Sequence, residues 1–207
     1  MVSRVRSLKR FIYLISPNKI YSNFYEDLEK VLSSKKVSFF QLRLKKMPKN
    51  LIIKIAKKIR TITKKNKVKF IINDDSKLAK KVNADGCHIG QLDSSVKTAR
   101  FKLKQKTLGV TCHDSKVLAK HALKNKADYL AFGSFYKSKL KPNAKKANLS
   151  ILKWAKQNIK KPIVVIGGIN NLNYKELIKS GAKYIAISTY IWDNPKLKPE
   201  FAIRKFK

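Results

Sequence analysis

Short apolar runs alternate along this chain with longer segments whose apolar positions recur at helical spacing. The runs Phe11 to Ile15, Val37 to Leu42, Val68 to Ile72, Gly86 to Ile89, Thr107 to Thr111, Tyr129 to Phe132, Pro162 to Ile166 and Tyr184 to Ile187 predict eight strands. Between them, Phe24 to Leu32 predicts a helix after Asn23, and Pro48 introduces another with an apolar face of Leu51, Ile52, Ile55, Ala56, Ile59 and Ile62. Shorter helices are expected around Leu78, Ala79 and Val82, and around Val96, Ala99 and Leu103. A helix starting at Asp114 should turn Val117, Leu118 and Ala122 inward. Leu149 to Asn158 carries Leu149, Leu152, Trp154 and Ala155, and the next helix holds Leu172, Leu177 and Ile178 and stops at Gly181. A last amphipathic segment runs from Leu197 to Phe206.

Strict strand–helix alternation with apolar strands means a parallel sheet covered by helices. Eight such units close a (β/α)8 TIM barrel, and 207 residues lies near the short end for that fold. We therefore expect an α/β chain with one domain over residues 1–207. An open doubly wound sheet would normally carry a G-x-G-x-x-G turn after its first strand, and none is present. All seven glycines fall within strands or at strand and helix ends, which suits ligand-facing turns.

In a parallel barrel the chemistry belongs beyond the carboxyl ends of the strands. The stretch Phe70 to Asp93 is the centre of this reading, because both of its strands end in carboxylates and amides: Asn73-Asp74-Asp75 and His88-Ile89-Gly90-Gln91-Leu92-Asp93. Asp75 is expected to cap a helix, and capping accounts for Asp93 only in part. Adjacent strands lie about 4.8 Å apart, so Asp74 and Asp93 would repel unless a cation sat between them. Mg²⁺ is typically held by one or two carboxylates plus substrate phosphates. Arg43, one of seven arginines, and Lys45 follow the second strand, and guanidinium binds phosphate bidentately. With Asn73 they describe a Mg²⁺–pyrophosphate site. A second anion site is expected at Gly167-Gly168-Ile169 and Ile187-Ser188, since the ends of strands seven and eight make a phosphate cradle in many barrels. A tight turn needing glycine for geometry alone is the competing reading of the GG pair. The polar loop from Ser134 to Asn148 is long enough to be functional.

Composition changes the picture little. A formal net charge of +37 suggests nucleic acid, but the excess is lysine spread over every helical segment, and no RNA-binding signature accompanies it. Cys87 and Cys112 read as buried thiols of a reducing compartment. His88 is expected to pack in its strand with a hydrogen-bonded ring, and His113 and His121 to be structural or surface residues. Three histidines without ligand spacing argue against a zinc site or a Ser–His–Asp triad. No apolar run is long enough for a membrane span, and the basic start MVSRVRSLKRF lacks the apolar core of a signal peptide. A cytoplasmic location is expected, with no nucleic-acid or membrane partner and with a homo-oligomer allowed.

The motifs QLRLK (Gln41 to Lys45), NDD (Asn73 to Asp75), ADGCHIGQLD (Ala84 to Asp93), GVTCH (Gly109 to His113), GSFYKSKLK (Gly133 to Lys141), IGGI (Ile166 to Ile169) and IS (Ile187-Ser188) together resemble the thiamine phosphate synthase / thiazole tautomerase family. The resemblance implies a (β/α)8 transferase that joins hydroxymethylpyrimidine pyrophosphate to hydroxyethylthiazole phosphate and releases pyrophosphate. It implies dissociative, Mg²⁺-assisted chemistry. By position, it implies that Gln41 contacts the pyrimidine and that Arg43, Lys45, Asn73, Thr111 and Lys141 hold the pyrophosphate. Asp74 and Asp93 would bind Mg²⁺, Ser138 would line the substrate site, and Gly168, Ile187 and Ser188 would bind the thiazole phosphate. Arg43, Lys45, Asn73 and Lys141 are the implied catalytic groups. Two departures stand out: Thr111 replaces a serine, and the sixth loop reads Ser138-Lys139-Leu140-Lys141, with Leu140 where the family has a hydroxyl. The alternatives are a thiazole tautomerase-like isomerase, which would carry histidine at Ser134 and lack Asp93, and a polyanion-binding barrel without catalysis.

Overall fold

The computed structural model describes residues 10–45, 47–137 and 146–207. Eight parallel strands close in sequence order: β1 (Ile12–Ile15), β2 (Val37–Leu42), β3 (Lys69–Asn73), β4 (Gly86–Ile89), β5 (Thr107–His113), β6 (Tyr129–Phe132), β7 (Ile163–Ile166) and β8 (Tyr184–Ile187), with β8 pairing back onto β1. The helices are α1 (Phe24–Ser33), α2 (Lys49–Lys65), α3 (Ser76–Lys81), α4 (Val96–Leu103), α5 (Lys116–Lys124), α6 (Ser150–Asn158), α7 (Tyr174–Lys179), α8 (Thr189–Trp192) and α9 (Pro199–Arg204). The predicted strands match to within one or two residues, with β5 running on to His113.

The period-two alternation of a strand divides its residues between two cores. Ile12 and Leu14 face outward into the layer between sheet and helices, where Phe24, Leu28, Phe40, Phe70, Ile59 and Phe206 are fully buried. Tyr13, Ile15, Phe39, Ile71, Tyr129, Ala131, Val164 and Ala186 fill the barrel itself. Tyr13 stacks on Phe39 at 5.3 Å, Tyr129 lies 5.7 Å from each of them, and Tyr184 meets Phe39 edge-on at 5.1 Å. Such aromatic pairs add about 0.5–1.5 kcal/mol each beyond the area they bury.

Two strand glycines are required by packing, and Gly109 makes room for the plug. A Cβ on Gly109 would lie 1.9 Å from Tyr129 Cζ, and one on Gly86 would lie 2.1 Å from the Thr107 carbonyl oxygen. These two therefore serve strand packing, away from the ligand-facing turns.

The amino-terminal rim is fastened by a repeated device. Asp85, just before β4, accepts from the Phe70 N–H at 2.7 Å and from Arg60 at 3.0 Å. Asp128, just before β6, accepts from the Leu108 N–H at 2.8 Å and from Arg100 at 2.6 Å. Each arginine comes from the helix that leads into the preceding strand, α2 before β3 or α4 before β5.

The helix faces differ from expectation at three positions. Val117 is 75% and Leu172 86% exposed, because each sits in the turn or first residues where the helix has not yet met the sheet. In α5 the inward positions are Ala119 and Ala122, with Leu118 partly buried. Leu51, at the start of α2, is likewise 44% exposed. A short α8 also intervenes between β8 and the closing α9, where the sequence pattern predicts one amphipathic segment.

Gly109→Ala should destabilise the fold by about 1–3 kcal/mol through overpacking against Tyr129. Urea denaturation reads this directly, and an unchanged midpoint would mean the tyrosine ring relocates at no cost.

Candidate active site

Because all eight strands are parallel, their carboxyl ends open on one side, and the turns there are stitched to one another around the mouth. Ser16, after β1, accepts from the Arg43 N–H at 3.0 Å, and its carbonyl takes the Ser188 hydroxyl at 3.0 Å from across β8. Lys45 pairs with Asp74 at 3.9 Å, and Asp74 lies within hydrogen-bonding reach of Asp93. The Gln91 side-chain amide donates to the Thr111 carbonyl, joining the β4 and β5 turns. The Gly133 N–H donates to the His113 carbonyl at 3.0 Å, and those of Phe135 and Tyr136 donate to Ile166 and Gly167 at 3.1 Å. Arg43, Asp93 and Gly168 thus belong to one rim.

Within the mouth, Gln41 is buried and its Nε2 donates to Asn73 Oδ1 at 2.7 Å, which leaves Asn73 Nδ2 to donate to an anion. Arg43 is half-buried and Lys45 exposed, so two cations stand next to that amide. Asp75 caps α3, accepting from the Leu78 N–H at 2.9 Å. Asp93 does not cap α4; Ser95 does, accepting from the Thr98 N–H at 3.1 Å. Asp93 Oδ2 instead takes the Gly90 N–H at 2.7 Å, which folds the HIGQLD turn back and aims the carboxylate at Asp74.

Asp74 is held in the left-handed region at φ 65°, its N–H donating to the His88 carbonyl at 2.7 Å. Aspartate tolerates that conformation better than most side chains, but it is uncommon and concentrates at functional turns. Burial and the neighbouring Asp93 push the Asp74 carboxyl up to about 6, against the opposing pull of Lys45 and Arg43. The two carboxylates are therefore under-neutralised even beside two cations. A hard divalent cation between them would relieve the repulsion, and it would complete its shell from water and a ligand's oxygens. Among the described residues no group of three or more His, Cys, Asp or Glu could hold a metal by itself.

Opposite this pair, Gly167 and Gly168 have φ of 107° and 59°. A Cβ on Gly167 would lie 1.9 Å from Ser134 Oγ, and one on Gly168 would lie 2.2 Å from the Lys137 carbonyl oxygen. Both glycines are thus needed for the turn to pass under the sixth loop, whatever it binds. Asn173 then holds the turn, its Nδ2 donating to the Gly168 carbonyl at 3.1 Å. Ile187 is buried, so only its backbone can reach a ligand. The Ser188 proton is committed to Ser16, so the hydroxyl would have to swing off that carbonyl to donate to a phosphate.

Beneath the mouth, Thr111 Oγ1 lies 2.8 Å from His88 Nε2, and His88 Nδ1 lies 3.0 Å from the Tyr129 hydroxyl. His88 is thus the hydrogen-bonded strand histidine that its sequence context predicts. His113 is exposed, and Cys87 and Cys112 are buried and free, with burial raising both thiols. Ser138 and Lys141 lie outside the described residues. Ser16 is a site residue that the sequence does not announce: it follows β1 with no motif around it, and only the closure of β8 onto β1 brings it between Arg43 and Ser188.

A family model described as thiamine monophosphate synthase matches residues 12–191. A thiamine-phosphate synthase of Pelagibacter ubique (strain HTCC1062) is 58% identical over 200 residues, covering 96% of this chain and 97% of that protein. One from Erythrobacter litoralis (strain HTCC2594) is 39% identical over 186 residues, covering 87% of each. Among solved structures, a thiamine phosphate pyrophosphorylase from Pyrococcus furiosus superposes with a TM-score of 0.85 at 26% identity, covering 97% of this chain and 95% of that one. Fold and relatives agree that the chain belongs to the thiamine monophosphate synthase family.

Proposed function

We propose that this chain joins a pyrimidine carrying a methylene pyrophosphate, 4-amino-5-hydroxymethyl-2-methylpyrimidine pyrophosphate, to hydroxyethylthiazole phosphate, giving thiamine phosphate and pyrophosphate. The observation that carries this reading is the Asp74–Asp93 pair set beside Arg43, Lys45 and Asn73. The bond from the pyrimidine methylene to the pyrophosphate oxygen breaks, and the pyrophosphate leaves with the electron pair. The lone pair of the thiazole nitrogen then forms the new C–N bond. No proton moves in either step, so the site needs charge stabilisation and alignment more than a general base.

Each residue's part rests on the family resemblance, supported for the described residues by where they lie. Arg43, Lys45 and Asn73, with Thr111 from β5, donate to the leaving pyrophosphate, and Lys141 of the sixth loop is assigned the same task. Gln41 is held by Asn73 and presents its Oε1 to the pyrimidine amino group. Ser138 joins the sixth-loop contacts, while the backbone of Gly168 and Ile187 and the hydroxyl of Ser188 take the thiazole phosphate. Asp74 and Asp93 would hold Mg²⁺, which when bound offsets the charge that develops on the leaving group.

The isomerase alternative is disfavoured by Ser134, whose hydroxyl donates to the Tyr136 carbonyl at 2.9 Å where that reading wants a histidine, and by the presence of Asp93. A polyanion-binding barrel is disfavoured because the two carboxylates would repel phosphates at the one opening. No helix among the described residues is long and apolar enough to cross a membrane, and the buried free cysteines fit a cytoplasmic location.

Supplied with both substrates, the chain should release pyrophosphate only when Mg²⁺ is present, and Asp93→Asn should abolish turnover while the circular dichroism spectrum stays the same. Full activity in that variant would remove the metal role.

A second expectation concerns the metal-free protein. The folded Asp74 pKa is raised above its ordinary 3.8, so the folded state binds the proton more tightly and stability falls as pH rises from about 4 to about 6. With part of the side chain in solvent, the screened cost above that window is about 1 kcal/mol. Thermal melts should therefore find metal-free Asp93→Asn more stable than the parent at pH 8 and nearly equal to it at pH 4. The same gap at both values would contradict carboxylate repulsion as the cause.

A further inference from the structure

β1 ends at Ile15, yet the chain after it stays against the end of β2. The Ser16 N–H donates to the Gln41 carbonyl at 2.9 Å, in step with the pairing of Ile15 and Gln41. A parallel ladder continued by one rung would send the Arg43 N–H to the Ser16 carbonyl. That carbonyl is instead occupied by the turn after β8, accepting from the Ser188 hydroxyl at 3.0 Å. The Arg43 N–H goes to the Ser16 hydroxyl at 3.0 Å, so a side chain takes the rung that the main chain has left. The hydroxyl's own proton faces the Pro17 carbonyl at 3.1 Å and the Arg43 carbonyl at 3.4 Å.

Three features make this contact exacting. Ser16 is 2% exposed, so water cannot stand in for its hydroxyl at the Arg43 N–H unless the turn shifts. Pro17 confines the backbone of the residue before it to extended conformations, which presents the hydroxyl from a fixed point. Asn18, from the same turn, reaches the other end of Arg43: its Oδ1 lies 3.5 Å from the guanidinium Nη1, a long contact. One turn thus touches Arg43 at both its backbone and its head.

We propose that Ser16 is a positioning residue for Arg43: its hydroxyl fixes the backbone from which the guanidinium reaches an anion at the mouth. The proposal rests on the proposed function for the identity of that anion, the pyrophosphate of the pyrimidine substrate, but the hold on the Arg43 backbone does not depend on it. The effect is confined to this end of the mouth. Gln41 and Ser188 are bound by the Ser16 main chain, which a change of side chain leaves in place, whereas Arg43 is held by the hydroxyl.

The first test needs no substrate. In nitrogen-15 NMR the Arg43 amide of the parent should be protected from solvent exchange, and Ser16→Ala should speed that exchange by about tenfold or more. An Arg43 amide that exchanges freely in the parent, or at the parent's rate in Ser16→Ala, would overturn the proposal. The parent's own rate is informative even where Ser16→Ala fails to fold.

The second test is kinetic. Ser16→Ala should lower kcat/KM for the pyrimidine pyrophosphate by about 3- to 30-fold, the scale of a charged group held slightly out of place, and leave KM for the thiazole phosphate unchanged. Ser16→Thr, which keeps the hydroxyl, should recover most of that loss. Arg43→Ala should cost about 10- to 100-fold, and adding Ser16→Ala to it should cost nothing further. An equal loss in both backgrounds, or an equal rise in KM for both substrates, would make Ser16 a packing residue only. If the parent chain turned over neither substrate, the proposed function would fall while the exchange rates still decided whether the hydroxyl holds Arg43.

Discussion

Closing eight parallel strands into a ring imposes two demands, and the rest of this protein follows from meeting them. The enclosed space must be filled, because a void leaves its lining without dispersion partners. All the strands must also end at one rim, where backbone groups and turns are concentrated. The first demand is met by aromatic residues from β1, β2, β6 and β8, whose rings occupy the middle of the barrel. Tyrosines in such a place bring hydroxyls that must be paired: Tyr13 bonds Tyr129 at 2.8 Å, Tyr129 bonds His88, and His88 bonds Thr111. The polar interior thus leads from the packed plug up to the mouth, linking packing to chemistry through a single strand histidine.

The rim opposite the mouth serves stability. Asp85 and Asp128 occupy equivalent positions before β4 and β6, and each bonds an N–H at the start of the preceding strand and an arginine from a helix. Four of the twelve acidic side chains are accounted for by these two and by Asp74 and Asp93 at the mouth. In a chain with a formal charge of +37, carboxylates have no shortage of cations, so repulsion between two of them has to be built deliberately. It is built here by the turn geometry: the Gly90 N–H draws Asp93 toward Asp74, and Asp74 itself is held at positive φ.

The barrel was legible in the sequence because strand and helix periods differ so plainly. A short apolar run bounded by polar turns, such as Tyr129–Phe132 of β6, is too brief for a helix, and eight of them with helices between leave few topologies. The candidate site could be read where a residue type is costly elsewhere: an arginine among lysines at Arg43, or two aspartates at successive strand ends. It was not legible where tertiary closure supplies the meaning. Ser16 has an ordinary neighbourhood in sequence, and Val117 and Leu172 fit a helical stripe that the start of each helix does not yet bury. Gly109 reads as a strand glycine, and nothing local says that the ring of Tyr129 fills its missing side chain.

The Gly167-Gly168 turn illustrates why a motif and its structural cause have to be argued together. Either glycine, given a side chain, would collide with the sixth loop, so packing alone requires both. The same packing presses the backbone of Gly168 close beneath Lys137, and a backbone without side chains is what an anion can approach. The hydroxyl of Ser188 differs, since it already has a partner in Ser16, and Ser16 also holds the backbone of Arg43. Ser16 thereby ties the turn after β8 to the turn after β2, a link made by tertiary closure alone.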